Sequence, residues 1–567
     1  MTRRPSRTRL RQAHPVSAAH PLSAACSLLL SAFLPPQAVA QTAAPATAQT
    51  VPAAPAASAT PTIPTEPRFT IQRFELEGAT RVPASVLQAA LAGLTGPNKR
   101  FSDIEAALQV VREAYERAGI TAMQVFIPEQ ALDAGVVKLL VEELQVSKVE
   151  ITGAKVRSPA NIRRSVPSLK EGTTPVDTVL AAELRLANDN PGREMQVTFR
   201  TEDDGKLTGV LRVADRPSVV GQVSLDNTGS GPTGKYRLGA VAQHHNLLDR
   251  DFVGTLQLQT SPGHEGEVQI AALSLRAPWY RAGVTFDVSL NHSSVDSGTI
   301  KTAAGDYLIS SSGLNASLRA TRLLPRWGEW EPRASAGWDY KHVDSRVTAA
   351  DGGPSLVPDI VLRPVVLSLA AQRRSDRLAL SGQLSLARNL PGSGRSAASV
   401  FAEPGLRAGA NPNYTVLRAN LAATWDFSAK GSLTAQWNGQ WSRDQLVPAE
   451  QFGIGGIGSV RGLNGRGATG DAGQRVGLEW SSPMKRLREP WRLDGGWQVF
   501  AEAAQAQRNQ PLPEEISRTT LASVGAGIRL TLREQFTLRA DLGVVTEGAQ
   551  VAKRGDHFVH ASLGWAF

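Results

Sequence analysis

Residues 559–567 read Val559-His560-Ala561-Ser562-Leu563-Gly564-Trp565-Ala566-Phe567. Side chains alternate across an extended backbone, so Val559, Ala561, Leu563, Trp565 and Phe567 share one face. His560, Ser562, Gly564 and Ala566 share the other. An apolar face backed by a small or polar one, with aromatics near the strand ends, is what lipid outside and water inside a transmembrane barrel demand.

The same texture recurs upstream. Leu417, Ala419, Leu421, Ala423, Trp425 and Phe427 oppose Arg418, Asn420, Ala422, Thr424 and Asp426, and Leu433, Ala435, Trp437, Gly439 and Trp441 follow. It runs back to about residue 216, in segments punctuated by Gly, Asp, Asn and Pro. A soluble β-sandwich also alternates. The many segments, the terminal Phe567 and the features of the first forty residues favour a barrel. Sixteen strands are expected, beginning near Ser218, Tyr236, Phe252, Glu267, Ala282, Ser312, Glu331, Val361, Arg377, Thr415, Gly431, Gln474, Gly496, Thr520, Gln535 and Asp556. An even count puts both barrel ends on the periplasmic side. The longest connection, 445–473, then lies on the extracellular side, between the eleventh and twelfth strands, and long loops are usually functional.

The first forty residues read as a secretory signal peptide. Arg3, Arg4, Arg7, Arg9 and Arg11 form a basic start, Leu22 to Leu34 an apolar stretch, and Ala38-Val39-Ala40 a cleavage pattern before Gln41. Cys26 is the only cysteine and lies inside that segment, so the mature chain can build no disulfide or thiolate metal site. Removing five arginines from a net charge of +10 leaves about +5, with no basic block that asks for nucleic acid. Residues 41–67 are mostly Ala, Pro and Thr and read as an extended linker.

Residues 68–215 contain an internal repeat. Glu77-Gly78-Ala79 with Pro83-Ala84 recurs as Thr152-Gly153-Ala154 with Pro159-Ala160. Met123-Gln124-Val125 recurs as Met195-Gln196-Val197, and Gly135-Val136-Val137 as Gly209-Val210-Leu211. Three matches in one order define a duplicated unit. Each reads strand, helix, helix, strand, strand. In the first, helices are expected over Val86 to Leu94 and Ile104 to Ala118, with Ser102 as N-cap and Gly119 closing the second. The expected units span 68–144 and 145–215, ahead of a barrel over 216–567.

The long connection contains Phe452-Gly453-Ile454-Gly455-Gly456-Ile457-Gly458-Ser459-Val460-Arg461-Gly462-Leu463. Gly453, Gly455 and Gly458 match a dinucleotide fingerprint in form only, because no βαβ unit surrounds them. Ser459 is in no nucleophile elbow, since Ile457 occupies the first glycine's place. What remains is a tightly turning backbone that presents one cation, Arg461.

This run, following two such units, resembles the transporters of two-partner secretion, the haemolysin-activator and filamentous-haemagglutinin transporter family. These are barrels preceded by polypeptide-transport-associated (POTRA) domains. Asn190-Pro191-Gly192 with Met195 to Phe199, and Ser224-Leu225-Asp226-Asn227-Thr228-Gly229, are similar to the family too. The resemblance implies a sixteen-stranded outer-membrane β-barrel with two α+β POTRA domains in the periplasm. It also implies that Phe452, Gly455, Gly456, Ser459, Val460, Arg461 and Gly462 fold into the lumen. Arg461 would then meet an acidic residue on an inward strand face, and by position that segment is Phe500-Ala501-Glu502. Here Glu replaces the usual Asp, Ala504 replaces a glycine, and Leu463 replaces an aromatic. Trp497, Val499 and Ala501 would face lipid, leaving Gln498, Phe500 and Glu502 inward. The family often carries an N-terminal plug helix, but the prolines of 41–67 argue against one.

The implied function is export of a dedicated exoprotein bearing an N-terminal secretion domain. The barrel would contact outer-membrane lipid and lipopolysaccharide. No nucleic acid, cofactor, metal or catalytic residue is expected, since no H-E-x-x-H occurs and His244-His245 merely adjoin on a strand. An assembly factor that inserts other membrane proteins, or a passive porin or surface receptor, are the alternatives.

Overall fold

The computed structural model describes residues 68–567 other than 131–134, 203–205, 303–304, 466, 514 and 551. The expected signal peptide, linker and missing plug helix lie outside the described residues.

Two small α+β units come first. In one, strands Arg73–Glu77, Val136–Glu143 and Met123–Phe126 form a mixed sheet, the first two parallel and the last antiparallel. Helices Ala84–Leu91 and Phe101–Arg117 cover it. Ile104, Ala107, Val111, Ala114 and Tyr115 recur at three- and four-residue spacing and bury against Phe74, Val137 and Leu139. The second unit repeats this with strands Val146–Thr152, Leu207–Asp215 and Arg193–Thr201 and helices Pro159–Ser165 and Asp177–Asn188. The repeated glycines turn the first strand of each unit. Gly78 and Gly153 have φ of +81° and +80°, and a Cβ there would lie 2.2 and 2.4 Å from the carbonyl oxygens of Val141 and Val213.

Two expectations are corrected here. The second helix starts at Phe101, so Ser102 is not its cap; Asp103 instead accepts from the backbone N–H of Arg100 at 2.7 Å. The first unit also has a short extra pair, Phe69–Ile71 with Gly96–Lys99.

The rest of the chain closes into an antiparallel barrel. Its wall strands are, in order, Val219–Asp226, Arg237–Leu247, Phe252–Thr260, Val268–Trp279, Val284–Thr302, Gly305–Leu323, Glu331–Ala349, Ile360–Leu362 continued by Pro364–Arg374, Leu378–Asn389, Thr415–Asp426, Ser432–Trp441, Ala472–Ser481 continued by Lys485–Arg488, Leu493–Gln507, Arg518–Leu532, Phe536–Glu547 and His557–Ala566. That makes sixteen once the two interrupted strands are joined. Closure satisfies the backbone groups that an open sheet would leave bare in lipid.

The last strand pairs with the first, Leu563 opposite Leu225 and Trp565 opposite Val223. Phe567 and Gly221 exchange backbone hydrogen bonds at 2.9 and 3.0 Å, and the Phe567 ring occupies the space a Cβ at Gly221 would need. Val559, Leu563, Trp565 and Phe567 face outward and exposed, while His560 is buried inward. Asn227 prolongs the seam: its side chain donates to Val559 O at 2.7 Å and accepts from Ala561 N at 2.8 Å.

The sixth strand begins at Gly305, not near Ser312. The fifth to seventh strands are each 19 residues long, well beyond the nine to eleven or so a membrane needs.

Candidate functional site

The connection between the eleventh and twelfth strands, residues 442–471, is the longest in the barrel and folds against the inner wall. Phe452–Ile454 and Ala468–Gly470 pair as a small hairpin that carries the tip. Gly455 and Gly456 reverse the chain with φ of +108° and +77°, and a Cβ at Gly455 would lie 2.5 Å from Gly467 N. Ser459 N–H donates to Gly456 O at 3.0 Å, closing the turn that presents Val460 and Arg461. Val460 is fully buried with Ile454, Leu463, Ala504, Leu521 and Val545. Leu463 therefore fills an apolar gap beside the tip.

Arg461 is 5% exposed. Its Nε and Nη2 reach Glu502 Oε1 at 2.8 and 2.7 Å, and its backbone N–H donates to Glu502 Oε2 at 2.7 Å. Nη1 meets Glu479 at 2.9 Å and Asp541 at 3.2 Å. The guanidinium carbon lies 3.3 Å from the centroid of the Phe500 ring. Every polar edge of the fork has an acceptor and its face has an aromatic, which suits a buried guanidinium. Alternation along Leu493–Gln507 places this wall: Trp497 and Val499 are exposed, whereas Gln498 and Phe500 are buried.

The site extends beyond the residues the sequence singled out. Glu479 and Asp541 are further acceptors for Arg461, and Arg539 bridges them at 3.4 and 2.8 Å. Gln498 donates to Asp541 and accepts from Arg529 at 3.2 Å. Gly543 lets the tip approach, since a Cβ there would fall 2.5 Å from Arg461 C and Gly462 N. Gly462, with φ of +110°, turns the chain away again. Asn464 donates to Gly229 O at 2.8 Å, tying the loop to the rim of the first strand.

At the other mouth the second α+β unit is bound to the turn between the second and third strands. Arg157 pairs with Asp215 at 2.7 Å and Asp251 at 2.8 Å, and Arg193 with Asp251 at 3.0 Å. Tyr280 donates to Asp251 at 2.9 Å. Asn190 donates to the carbonyls of His245 and Asp251, and Gly192 lies where a Cβ would meet His245 at 2.5 Å. This gives Asn190-Pro191-Gly192 a structural role. Leu248, Asp249 and Asp251 all have positive φ, a strained turn that these contacts hold in place. Burial opposes ionisation of Asp249, but hydrogen bonds from Ser158, Asn246 and Asn161 outweigh it and hold its carboxyl down at about 2. Asp215 is likewise held below its ordinary range: burial works against this, and the N–H groups of Val156 and Lys155 with Arg157 prevail. Across the mouth, Arg333 grips Asp189 with two bonds at 2.7 and 2.9 Å.

Comparison with known proteins agrees with this architecture. Residues 69–143 match the ShlB-type POTRA domain. Outer membrane transporter CdiB of Escherichia coli O6:K15:H31 is 24% identical over 498 residues, 82% of this chain and 77% of that protein. Heme/hemopexin transporter protein HuxB of Haemophilus influenzae strain 86-028NP is 20% identical, over 77% of this chain and 76% of its own length. The structure of CdiB from Escherichia coli superimposes with a TM-score of 0.74 at 18% identity, covering 90% of this chain and 93% of that one. CdiB from Acinetobacter baumannii gives 0.69 at 18% identity, covering 89% and 91%. The barrel lies in the outer membrane with its POTRA region in the periplasm. Residues 210–530 match the family described as haemolysin secretion/activation protein ShlB/FhaC/HecB, and the chain belongs to that family of two-partner secretion transporters.

Proposed function

We propose that this chain exports one dedicated exoprotein, which the POTRA units at 68–144 and 145–215 receive in the periplasm and the barrel at 216–567 passes through its lumen. The observation that carries this reading is Arg461, held inside a barrel whose periplasmic mouth is fitted with the second unit. An extended client can add to a sheet edge through its backbone with little sequence demand. Recognition of an N-terminal secretion domain on the client would make the export selective.

In this reading Phe452, Gly455, Gly456, Ser459, Val460 and Gly462 shape the tip, Arg461 anchors it, and Phe500 and Glu502 receive it. The loop closes the unloaded lumen and yields to the client. Nucleotide is absent at this membrane, so folding of the client outside would supply the driving force. The outward apolar belt meets lipid and lipopolysaccharide, and no nucleic acid takes part. Deletion of this chain in its host, with the exoprotein measured in the culture medium, tests the reading. Loss of the exoprotein from the medium is expected; unchanged secretion would refute it.

A further inference from the structure

The loop has a second charged anchor, apart from the tip. Glu450 is 2% exposed. Lys341 Nζ donates to its Oε1 at 2.6 Å and Arg418 Nη2 to its Oε2 at 2.8 Å. Gln440 donates to the backbone oxygen of Glu450 at 2.9 Å and accepts from Arg418 Nε at 2.8 Å, which fixes the arginine's fork. Lys341 belongs to the seventh wall strand and Asp541, which holds Arg461, to the fifteenth. Arg418 and Gln440 lie on the tenth and eleventh strands, and Glu479 and Glu502, the other partners of Arg461, on the twelfth and thirteenth, so the clamp and the tip site occupy neighbouring arcs of the ring. One stretch of loop, 450–461, is therefore tied at its start to a cationic pair and at its tip to an acidic cluster on the next arc of the lumenal wall.

We propose that Glu450 is a gate-holding residue: clamped between Lys341 and Arg418, it keeps the loop folded into the lumen against the wall and the unloaded channel shut. The charge balance supports a gate over a mere scaffold. One carboxylate stands between two cations, so its loss leaves Lys341 and Arg418 facing each other without a counter-charge. Like charges that close repel, and they draw water and anions into the space. Glu450 is sealed while the Arg418 side chain stays 31% exposed, so water has a path to the clamp and its ions can regain their hydration as it opens. This inference rests on the export reading.

The test is Glu450→Gln in planar bilayers, with the full-length barrel confirmed as folded by heat-modifiable migration. The unloaded channel should open about tenfold more often than wild type, the factor that corresponds to about 1.4 kcal/mol of lost closure. Its reversal potential in a salt gradient should shift toward anions, because the bared cations then line the path. Lys341→Met should shift the opening less and in the same direction, and the double variant should exceed Glu450→Gln by little. Wild-type opening and selectivity in a folded Glu450→Gln barrel would overturn the proposal, as would strictly additive effects. If Glu450→Gln does not fold, Arg418→Gln gives the same reading of opening, and wild-type opening in that variant overturns it. Secretion by the wild-type chain is scored separately, so failure of the gate and failure of the export reading are distinguishable.

Discussion

Two buried arginine clusters, one at the periplasmic mouth and one inside the lumen, are built for different ends. At the periplasmic junction Arg157 and Arg193 share Asp251, and the side chains of all three are at most 1% exposed. At the lumenal tip Arg461 is as well paired, but two of its companions, Glu479 and Arg539, keep about a fifth of their surface open. A sealed cluster cannot be broken without stranding a charge in a dry site, so the junction fixes the second unit on the barrel. A cluster with an open flank can exchange its partners for water, so the tip can be held and also released. Each cluster packs through a glycine, Gly192 against His245 and Gly543 against Arg461, which shows that close approach was needed at both.

The largest effect is expected at the junction. Asp251→Ala leaves two buried arginines without their shared carboxylate and should cost about 3–5 kcal/mol. Limited proteolysis should then cut the chain near residue 216, at protease levels that leave the wild type intact; equal resistance would mean that the junction is no lock. Next comes the tip. Gly543→Val puts side-chain atoms where the Arg461 backbone lies and should cost the docked loop about 1–3 kcal/mol. The loop should become accessible to protease from outside while the barrel still inserts, and an inaccessible loop would contradict the packing described. Glu479→Gln should be mild, under about 1 kcal/mol, because Glu502 and Asp541 remain and the group is part-exposed. Thermal unfolding close to wild type would agree, and a collapse of the barrel would not.

The smallest effect is on pH. A carboxyl lowered from its ordinary 3.8 to about 2 stabilises the docked form above its undocked value, and this is lost as pH falls through the docked value. Protease resistance of the junction that depends on Asp249 should therefore survive at pH 4 and fade toward pH 2. Fading complete by pH 4 would remove Asp249 from the lock.

The comparison also separates what a sequence discloses from what it conceals. Wall strands in the membrane announce themselves, because lipid forces apolar residues onto every second position; Leu417, Leu421 and Trp425 are examples. The start of the sixth strand is hidden in the sequence because it lies beyond the lipid. Tyr307 to Ser312 needs no apolar face there, so the alternation that marks a strand fades. The Glu502 partner was legible because Phe500 and Glu502 carry a motif at a fixed spacing. Glu479 and Asp541 were not, since any polar residue suits a lumenal position and only folding brings them to Arg461. The Asp251 lock was hidden for the same reason. Its partners come from three stretches, around residues 157, 193 and 280, and nothing local links them.

The central claim is that Arg461, held inside the lumen by Glu502, Glu479 and Asp541, is part of the export machinery. The direct measurement is exoprotein in the medium from cells carrying Arg461→Ala, alongside heat-modifiable barrel in their outer membranes. The account predicts a normal amount of folded barrel with export reduced at least about tenfold, the factor set by losing roughly 1.4 kcal/mol. Wild-type export from that variant would contradict it.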